Sequence, residues 1–247
     1  MFLPSLMYAV SSYMVLNCLD GISMPLFPPL QRLCPLAIVV IGACYYRMQM
    51  PSREAIVLIV IICFGTALSS IADWSVDLWA LIYGLGSLGM FALCLVKIEK
   101  LHEQYSSTLE LIYMNSFNCL CLFLIADLVQ DEIRDSFMYL VTSTTWLFVL
   151  CLTLLVIIGS IFHALIFYCI TDAGALHTAI MHNLAGGVQI FVAYSLSVYL
   201  FYDLAPSSAN IFGVIIASIA ASYYYLSGRC SDINFSPSMN RYMPVKS

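Results

Sequence analysis

The residue whose type and position point most clearly to chemistry is Arg32, which lies inside the apolar stretch 25–46. A charged side chain in a long apolar stretch is costly to bury, so it is by default a functional candidate that needs a partner. Its planar guanidinium donates paired hydrogen bonds that match an anion. Four prolines between positions 25 and 35 interrupt helical hydrogen bonding, which is tolerated beside a polar cavity. We therefore expect Arg32 to face a cavity and bind an anion; the alternative is a snorkelling or structurally paired arginine.

Three histidines also fall in apolar stretches, namely His163, His177 and His182. His182 shares a polar helical stripe with Thr178 and Gly186, because residues four apart lie on one face of a helix. We expect His182, more than His163, to line the cavity. Buried histidines are otherwise commonly satisfied by a neighbouring carbonyl, and these three lack the acidic neighbour that a metal site or proton relay needs.

Polar side chains interrupt the fifth apolar stretch at Tyr113, Asn115, Ser116 and Asn118. Amides rarely sit in lipid without a hydrogen-bonding role, and such groups suit recognition of a base or a sugar. No hydrolase, kinase or phosphate-loop motif is present. The sequence therefore predicts a binding role without enzymatic activity, and we expect no cofactor and no metal.

The elements that must position these residues are too apolar for a water-soluble fold. The chain of 247 residues is 62% hydrophobic and 9% charged, whereas soluble domains carry about 25% charged residues. Its net charge of −5 and its lack of a basic tract argue against nucleic acid as a partner. Most of the ten cysteines lie within apolar stretches, which favours small apolar helix residues over a disulfide framework. The expected surroundings are a lipid bilayer.

Eight apolar stretches are long enough to cross roughly 30 Å of hydrocarbon as helices. We predict an all-α, polytopic membrane protein with eight transmembrane helices in a domain covering residues 1–228. The first stretch is expected to be a retained span, and residues 229–247 a disordered cytosolic tail. The stretches are 2–18, 25–46, 53–71, 78–97, 109–127, 145–170, 174–201 and 206–226.

Basic residues near the ends of these stretches favour one side of the membrane. Numbering the connectors alternately puts seven Lys or Arg residues on one side and one on the other. Because cytosolic loops collect Lys and Arg, both termini are predicted to be cytosolic. The seven are Arg47, Arg53, Lys97, Lys100, Arg229, Arg241 and Lys246, and the residue on the opposite side is Arg134.

Four segments match motifs of one transporter family in order and spacing. Residues 23–32 (SMPLFPPLQR) resemble the S-L-P-L/M-F-x-x-L-R-R/K segment of UDP-sugar transporters, part of the nucleotide-sugar branch of the drug/metabolite transporter superfamily. Residues 65–77 resemble the family's G-A-x-x-A-A-x-x-D-L…D segment, and Lys97 sits where the family has V-K. Residues 111–115 (LIYMN) resemble its L-L-Y-Y-N, a version of the F-Y-N-N base-recognition motif. The resemblance covers nearly the whole chain.

Two features depart from the family pattern. Residues 169–189 are similar to its C-x-x-x-x-S-A-L-T-T-x-x-V-G-x-x-K-N segment, but the G-A-L-N-K position reads HNLAG at 182–186. The basic residue that contacts nucleotide in relatives is absent there, so either His182 substitutes or nucleotide affinity is weaker. The family has ten spans in two inverted repeats, whereas this sequence begins at what corresponds to the third. The resemblance implies a partial inverted-repeat fold, as in a truncated product, a short isoform or a diverged relative.

The function that the resemblance implies is nucleotide-sugar transport in the Golgi membrane, or alternatively in the endoplasmic reticulum. A cytosolic UDP-sugar would be exchanged for a lumenal nucleoside monophosphate. A glycine in such a site permits close approach of the ligand to the backbone. The implied substrate-binding residues are Arg32 and Lys97 for phosphate, Tyr113, Asn115 and Ser116 for the base, and His182, Asn183 and Gly186 for the sugar or phosphate side.

Two alternative functions fit the same sequence. One is an exporter of amino acids or other small metabolites built on the same fold, which would tolerate loss of Tyr113. The other is a truncated, non-transporting partner that associates with full-length transporters or with itself. Stripes of small residues, such as Gly65 with Ser69 and Gly213 with Ala217, would support such association. The main role we expect of these stripes is helix packing.

Overall fold

The chain folds into helices without strands over the residues that the computed structural model describes, which are 1–21, 30–46, 51–70, 77–102, 104–105, 107–130, 132–142, 145–201 and 207–231. Helices satisfy every backbone group internally, which is what a segment surrounded by lipid requires. The predicted all-α fold is confirmed over this part of the chain. The helices are α1 (Phe2–Leu19), α2 (Cys34–Tyr46), α3 (Arg53–Ser70), α4 (Leu78–His102), α5 (Thr108–Gln130), α6 (Glu132–Thr142), α7 (Trp146–Ala173), α8 (Ala175–Leu196), continued by a π-helical turn (Ser197–Phe201), and α9 (Ser208–Ser231).

Four of the described helices are both long and apolar enough to cross a membrane: α1, α4, α5 over Thr108–Val129, and α7. The most apolar is α7, with a mean hydropathy of 2.6, and many of its large side chains are exposed, as lipid contact requires. Shorter apolar segments, Cys34–Cys44 and Ser208–Tyr224, lie in α2 and α9. The protein is therefore a polytopic membrane protein, and the count of eight spans stays a prediction.

The second predicted span, 25–46, is described as a regular helix only from Cys34 onward. A turn at 30–33 precedes α2, and within it the Leu33 N–H donates to the Leu30 carbonyl over 3.2 Å. Pro35 falls in the first turn of α2, where an N–H has no helical partner to lose. The other three prolines belong to the segment 22–29, outside the described residues.

Two further boundaries differ from the sequence prediction. The connector predicted between 127 and 145 contains the helix α6, which at 11 residues is too short to cross the hydrocarbon. At the other end, α9 continues to Ser231, past the predicted domain boundary at 228. The rest of the predicted tail, 232–247, lies outside the described residues.

The main apolar core forms around α4, whose buried face includes Ala92, Leu95 and Ile98. Buried side chains of α2, α5, α7 and α8 complete this core. On another part of α4, α1 packs so closely that the Ser11 hydroxyl donates to the Ser87 carbonyl over 2.9 Å. These contacts make α4 the element that positions the helices of the candidate site.

The close contact between α3 and α9 depends on two glycines. A Cβ added to Gly65 would lie 2.9 Å from both the Ala217 amide nitrogen and the Gly213 carbonyl oxygen. A Cβ added to Gly213 would collide with the Ser69 backbone and the Gly65 carbonyl oxygen. Bare backbones therefore meet here, as in other small-residue contacts between membrane helices. The predicted packing role of both stripes is confirmed.

Alanine at Gly213 is expected to destabilise the protein by about 1–3 kcal/mol, because its methyl group must displace the α3 backbone. The midpoint of thermal unfolding in detergent, followed by tryptophan fluorescence, measures this. Gly89→Ala is the matched control, since an added Cβ there meets no atom within 4 Å. Equal midpoints for the two variants would contradict the tight α3–α9 contact.

Candidate functional site

Arg32 is 2% exposed and fastens the turn before α2 to α8 and α9. Its Nη2 donates to the Asn183 carbonyl oxygen over 3.0 Å and to the Ser218 Oγ over 3.2 Å. In return, Asn183 Nδ2 donates to the Arg32 carbonyl oxygen over 2.9 Å. The pair therefore satisfies backbone carbonyls on both elements, including one in the turn that precedes α2. This is the structural pairing foreseen as the alternative to anion binding.

The same pair leaves two buried atoms without a hydrogen bond among the described residues, Arg32 Nε and Asn183 Oδ1. Gly186 lies next to Arg32 Nε, since a Cβ added to this glycine would be 3.9 Å from that nitrogen. No carboxylate of the described residues offsets the guanidinium charge. Because buried ionic groups normally have a charged or hydrogen-bonding partner, the pairing of Arg32 is incomplete. The guanidinium therefore keeps one N–H, at Nε, that no described residue accepts.

His182 lies one residue before Asn183 but faces a different neighbourhood, because consecutive residues on a helix point about 100° apart. Its ring centroid lies 5.5 Å from that of Phe162 and 6.4 Å from that of Phe91. It lines a cavity of about 770 Å³ between α4, α5, α7 and α8, which we term the first cavity. The polar residues that line it are His102, Thr108, Tyr168, Cys169, Thr171, Asp172, Thr178 and His182.

Asn115 and Ser116 line a second cavity, of about 440 Å³, between α1, α5 and α7. Asn115 is fully buried, and its Nδ2 lies 3.3 Å from Nε2 of His163. Asn115 Oδ1 is buried without a partner in the described part of the chain. The other polar residues lining the second cavity are Tyr8, Cys119, Ser160 and His163. The Asn115 and His163 side chains thus form a polar contact in the wall of the second cavity.

Tyr113 does not join Asn115 at the second cavity. It is 67% exposed and stacks on Phe117, with the ring centroids 6.4 Å apart and the planes 18° apart. Residues two apart on a helix point in nearly opposite directions, so α5 cannot aim both side chains at one ligand. Contact between Tyr113 and a base therefore stays a prediction, since Tyr113 does not line the second cavity with Asn115.

The predicted site residues thus occupy several places. Arg32, Asn183 and Gly186 are together, His182 lines the first cavity, and Asn115 with Ser116 lines the second. Lys97 is half-buried on α4, five residues before His102, which lines the first cavity. The described residues do not bring all eight predicted site residues into a single pocket.

Three residues near these places escaped the sequence prediction as site residues: Ser218, His163 and Glu99. Ser218 lies among other small residues of α9, which gave no sign of its bond to Arg32. His163 lies in an apolar stretch, but nothing in the sequence links it to Asn115. Glu99 lies between Lys97 and Lys100, which is typical of a solvated helix end, although the side chain is only 8% exposed.

Glu99 holds the beginning of α8. Gly174 ends α7 with φ of 87°, a conformation that favours glycine, and so the chain turns directly into α8. The Glu99 Oε2 accepts the Ala175 N–H over 3.0 Å. A carboxylate at a helix N-terminus both satisfies a free N–H and interacts favourably with the helix dipole. Glu99 thereby positions the helix that carries His182, Asn183 and Gly186.

Replacing Glu99 with alanine is expected to cost about 1–2 kcal/mol of stability, because the buried Ala175 N–H loses its acceptor. Glu99→Gln retains a side-chain oxygen and should recover about half of that loss. Thermal unfolding of both variants in detergent measures the difference. An alanine variant as stable as the wild type would show that the bond does not hold α8.

Comparison with protein-family models gives no match. The chain is 25% identical over 224 residues to UDP-galactose/UDP-glucose transporter 7 of Arabidopsis thaliana, a match that covers 89% of this chain and 67% of that protein. It is 24% identical over 200 residues to a probable sugar phosphate/phosphate translocator of Arabidopsis thaliana, which covers 79% of this chain and 56% of the relative. These similarities confirm the predicted resemblance to the nucleotide-sugar transporter-like family of the drug/metabolite transporter superfamily.

Proposed function

We propose that the protein is a membrane transporter that exchanges a cytosolic UDP-sugar for a lumenal nucleoside monophosphate. The observation that carries this proposal is the buried Arg32 guanidinium, which has an unpaired Nε and no described carboxylate beside it. An anion is the partner that such a group needs inside a membrane. The similarity to a UDP-galactose/UDP-glucose transporter supports a sugar nucleotide as that anion.

The phosphate is the part of the substrate that Arg32 would bind. Its Nη2 is engaged by Asn183 and Ser218, whereas its Nε, next to Gly186, has no hydrogen-bond partner among the described residues. A phosphate oxygen at Nε would provide a charge-assisted hydrogen bond and neutralise the buried cation at the same time. We assign Lys97, on α4, the lesser role of attracting phosphate toward the helices.

The base and the sugar would use the two cavities. Asn115 and Ser116 offer amide and hydroxyl groups to a base in the second cavity. His182, together with Thr178, offers hydrogen bonds in the first cavity, which has the volume to hold a sugar. Because these places lie on different helix pairs, one extended substrate would need the helices to move relative to each other. Such rocking is the general mechanism of carriers built from repeats.

The place and orientation of the protein form part of the same proposal. The family resemblance implies that the protein lies in the Golgi membrane or, alternatively, in the endoplasmic reticulum. The seven basic residues on one side of the membrane favour cytosolic termini. With this orientation the exchange delivers the sugar nucleotide into the lumen and returns the monophosphate to the cytosol.

Counterflow in liposomes tests the transport proposal. The purified chain, reconstituted in liposomes loaded with UMP, is expected to take up radiolabelled UDP-galactose or UDP-glucose faster than protein-free liposomes do. Arg32→Ala should reduce this uptake roughly 10- to 100-fold, the effect of one charge-assisted hydrogen bond, and Arg32→Lys should retain part of it.

The matched control is Arg134→Ala, since Arg134 is an exposed arginine on the short helix α6. This variant should transport at the wild-type rate. No counterflow by correctly inserted wild-type protein for any UDP-sugar would refute the transport proposal. Normal uptake by Arg32→Ala would refute only the role of Arg32.

A second candidate function is exchange of a sugar phosphate for inorganic phosphate, favoured by the similarity to a probable sugar phosphate/phosphate translocator. It uses the same guanidinium but needs no base site. Liposomes loaded with phosphate and supplied with a labelled sugar phosphate distinguish the two. Uptake of sugar phosphate without uptake of UDP-sugars would replace the first proposal.

Orientation has its own test. An epitope tag at the C-terminus should be stained by antibody in cells whose plasma membrane alone is permeabilised, because the tag faces the cytosol. An epitope known to face the lumen should remain unstained in the same cells. Staining that needs full permeabilisation would contradict the predicted topology.

A further inference from the structure

The short helix α6 carries an exposed apolar segment that the proposed transport site does not use. Its residues 137–141 all have large apolar or aromatic side chains, and all of them are exposed. A continuous apolar patch is unfavourable in water and marks contact with a membrane or with another protein. Phe137, Leu140 and Val141 share one face of α6, because residues three or four apart lie on the same side of a helix.

The neighbouring helices α5 and α7 set the level of α6 relative to the membrane. At the end that carries the first cavity, the Thr108 and Thr171 hydroxyls lie 3.1 Å apart, which aligns the two helices. At about 1.5 Å per residue, α5 rises about 33 Å from Thr108 to its end at Gln130. By the same rise, α7 extends about 38 Å from Thr171 back to its beginning at Trp146. Their far ends therefore lie near the level at which about 30 Å of hydrocarbon gives way to headgroups.

A contact between two aromatic rings shows that α6 does not continue the axis of α5. The ring centroid of Tyr139 lies 6.2 Å from that of Phe148, in the first turn of α7. In a straight continuation of α5, Tyr139 would stand about 12 Å beyond the level of Phe148. Helix α6 therefore runs across the ends of α5 and α7. Because residues two apart on a helix point in nearly opposite directions, Tyr139 faces α7 and Phe137 faces away from it.

The exposed segment of α6 is continuous with the lipid-facing surface of α7. Every residue from 146 to 162 is exposed, on the most apolar of the membrane-spanning helices. Tyr139 of α6 packs on this helix at its beginning, where Trp146 is 81% exposed. Trp and Tyr are the residues enriched at the boundary between hydrocarbon and water. The surroundings of α7 therefore extend to α6, and lipid is the neighbour that fits its outer face.

We propose that α6 is an interfacial helix, which lies in the plane of the membrane at the face opposite the first cavity and buries Phe137, Leu140 and Val141 between phospholipid headgroups and acyl chains. A helix at this depth buries its apolar face and still satisfies its own backbone groups. In the predicted orientation it lies on the lumenal leaflet, where it anchors the ends of α5 and α7. This inference goes beyond the proposed function and does not depend on it.

Tryptophan fluorescence in phosphatidylcholine vesicles tests the position of α6. The full chain, with its three tryptophans replaced by phenylalanine, receives a single new tryptophan through Phe137→Trp. Phospholipid brominated near the headgroup should quench this tryptophan about twofold more than phospholipid brominated near the chain ends, because the helix is interfacial. Acrylamide, which stays in water, should quench it only weakly.

The matched control is Thr142→Trp in the same background, since position 142 lies about 140° round the helix from position 137. Its tryptophan should be quenched more by acrylamide and less by either brominated lipid. If Phe137→Trp does not fold, Leu140→Trp decides, because position 140 lies on the same face as position 137.

Four results would overturn the inference. Strong quenching of Phe137→Trp by acrylamide without quenching by lipid would place α6 in water. Strongest quenching by lipid brominated near the chain ends would place it inside the hydrocarbon. Protection from both kinds of quencher would show that protein, such as a second copy of the chain, covers this face. Equal quenching of Phe137→Trp and Thr142→Trp by every quencher would show that α6 has no lipid-facing side.

Discussion

The reciprocal hydrogen bonds between Arg32 and Asn183 are the interaction on which the arrangement of the site depends. One bond satisfies a carbonyl in the turn that precedes α2, and the other uses part of the guanidinium to hold α8. Ser218 adds α9 to the same contact. A buried cation in a membrane protein is stable only with such partners, and here they leave Arg32 Nε unsatisfied. Structural pairing and anion binding are therefore compatible uses of one side chain.

Two further contacts position α8 and α9. Glu99 fixes the beginning of α8 from α4, and Arg32 holds its middle. The glycine contact brings α3 against α9 without intervening side chains. His182 and Asn183 can then serve different neighbours, because consecutive helix residues diverge by about 100°. A movement of α8 that opened the first cavity would also change the environment of Arg32.

The sequence predicted the helices and the need of Arg32 for a partner, because both depend on local properties. Long apolar stretches require helices in lipid, and a lone guanidinium in such a stretch needs a partner. The partners themselves could not be predicted, since Arg32 and Asn183 are separated by 151 positions and Asn115 and His163 by 48. Helical periodicity gives the face on which a residue lies but not the helix that covers that face. The exposure of Tyr113 followed from the same periodicity, although its motif suggested a shared role with Asn115.

The most direct test of the central claim is a cryo-electron microscopy structure of the protein with UMP bound. A phosphate oxygen is expected at about 2.7–3.2 Å from Arg32 Nε, beside Gly186, with the base in the cavity lined by Asn115. The Asn183 and Ser218 bonds to Nη2 should persist in that complex. UMP bound elsewhere, with Arg32 still paired only to Asn183 and Ser218, would show that this arginine holds the helices together and does not bind the substrate.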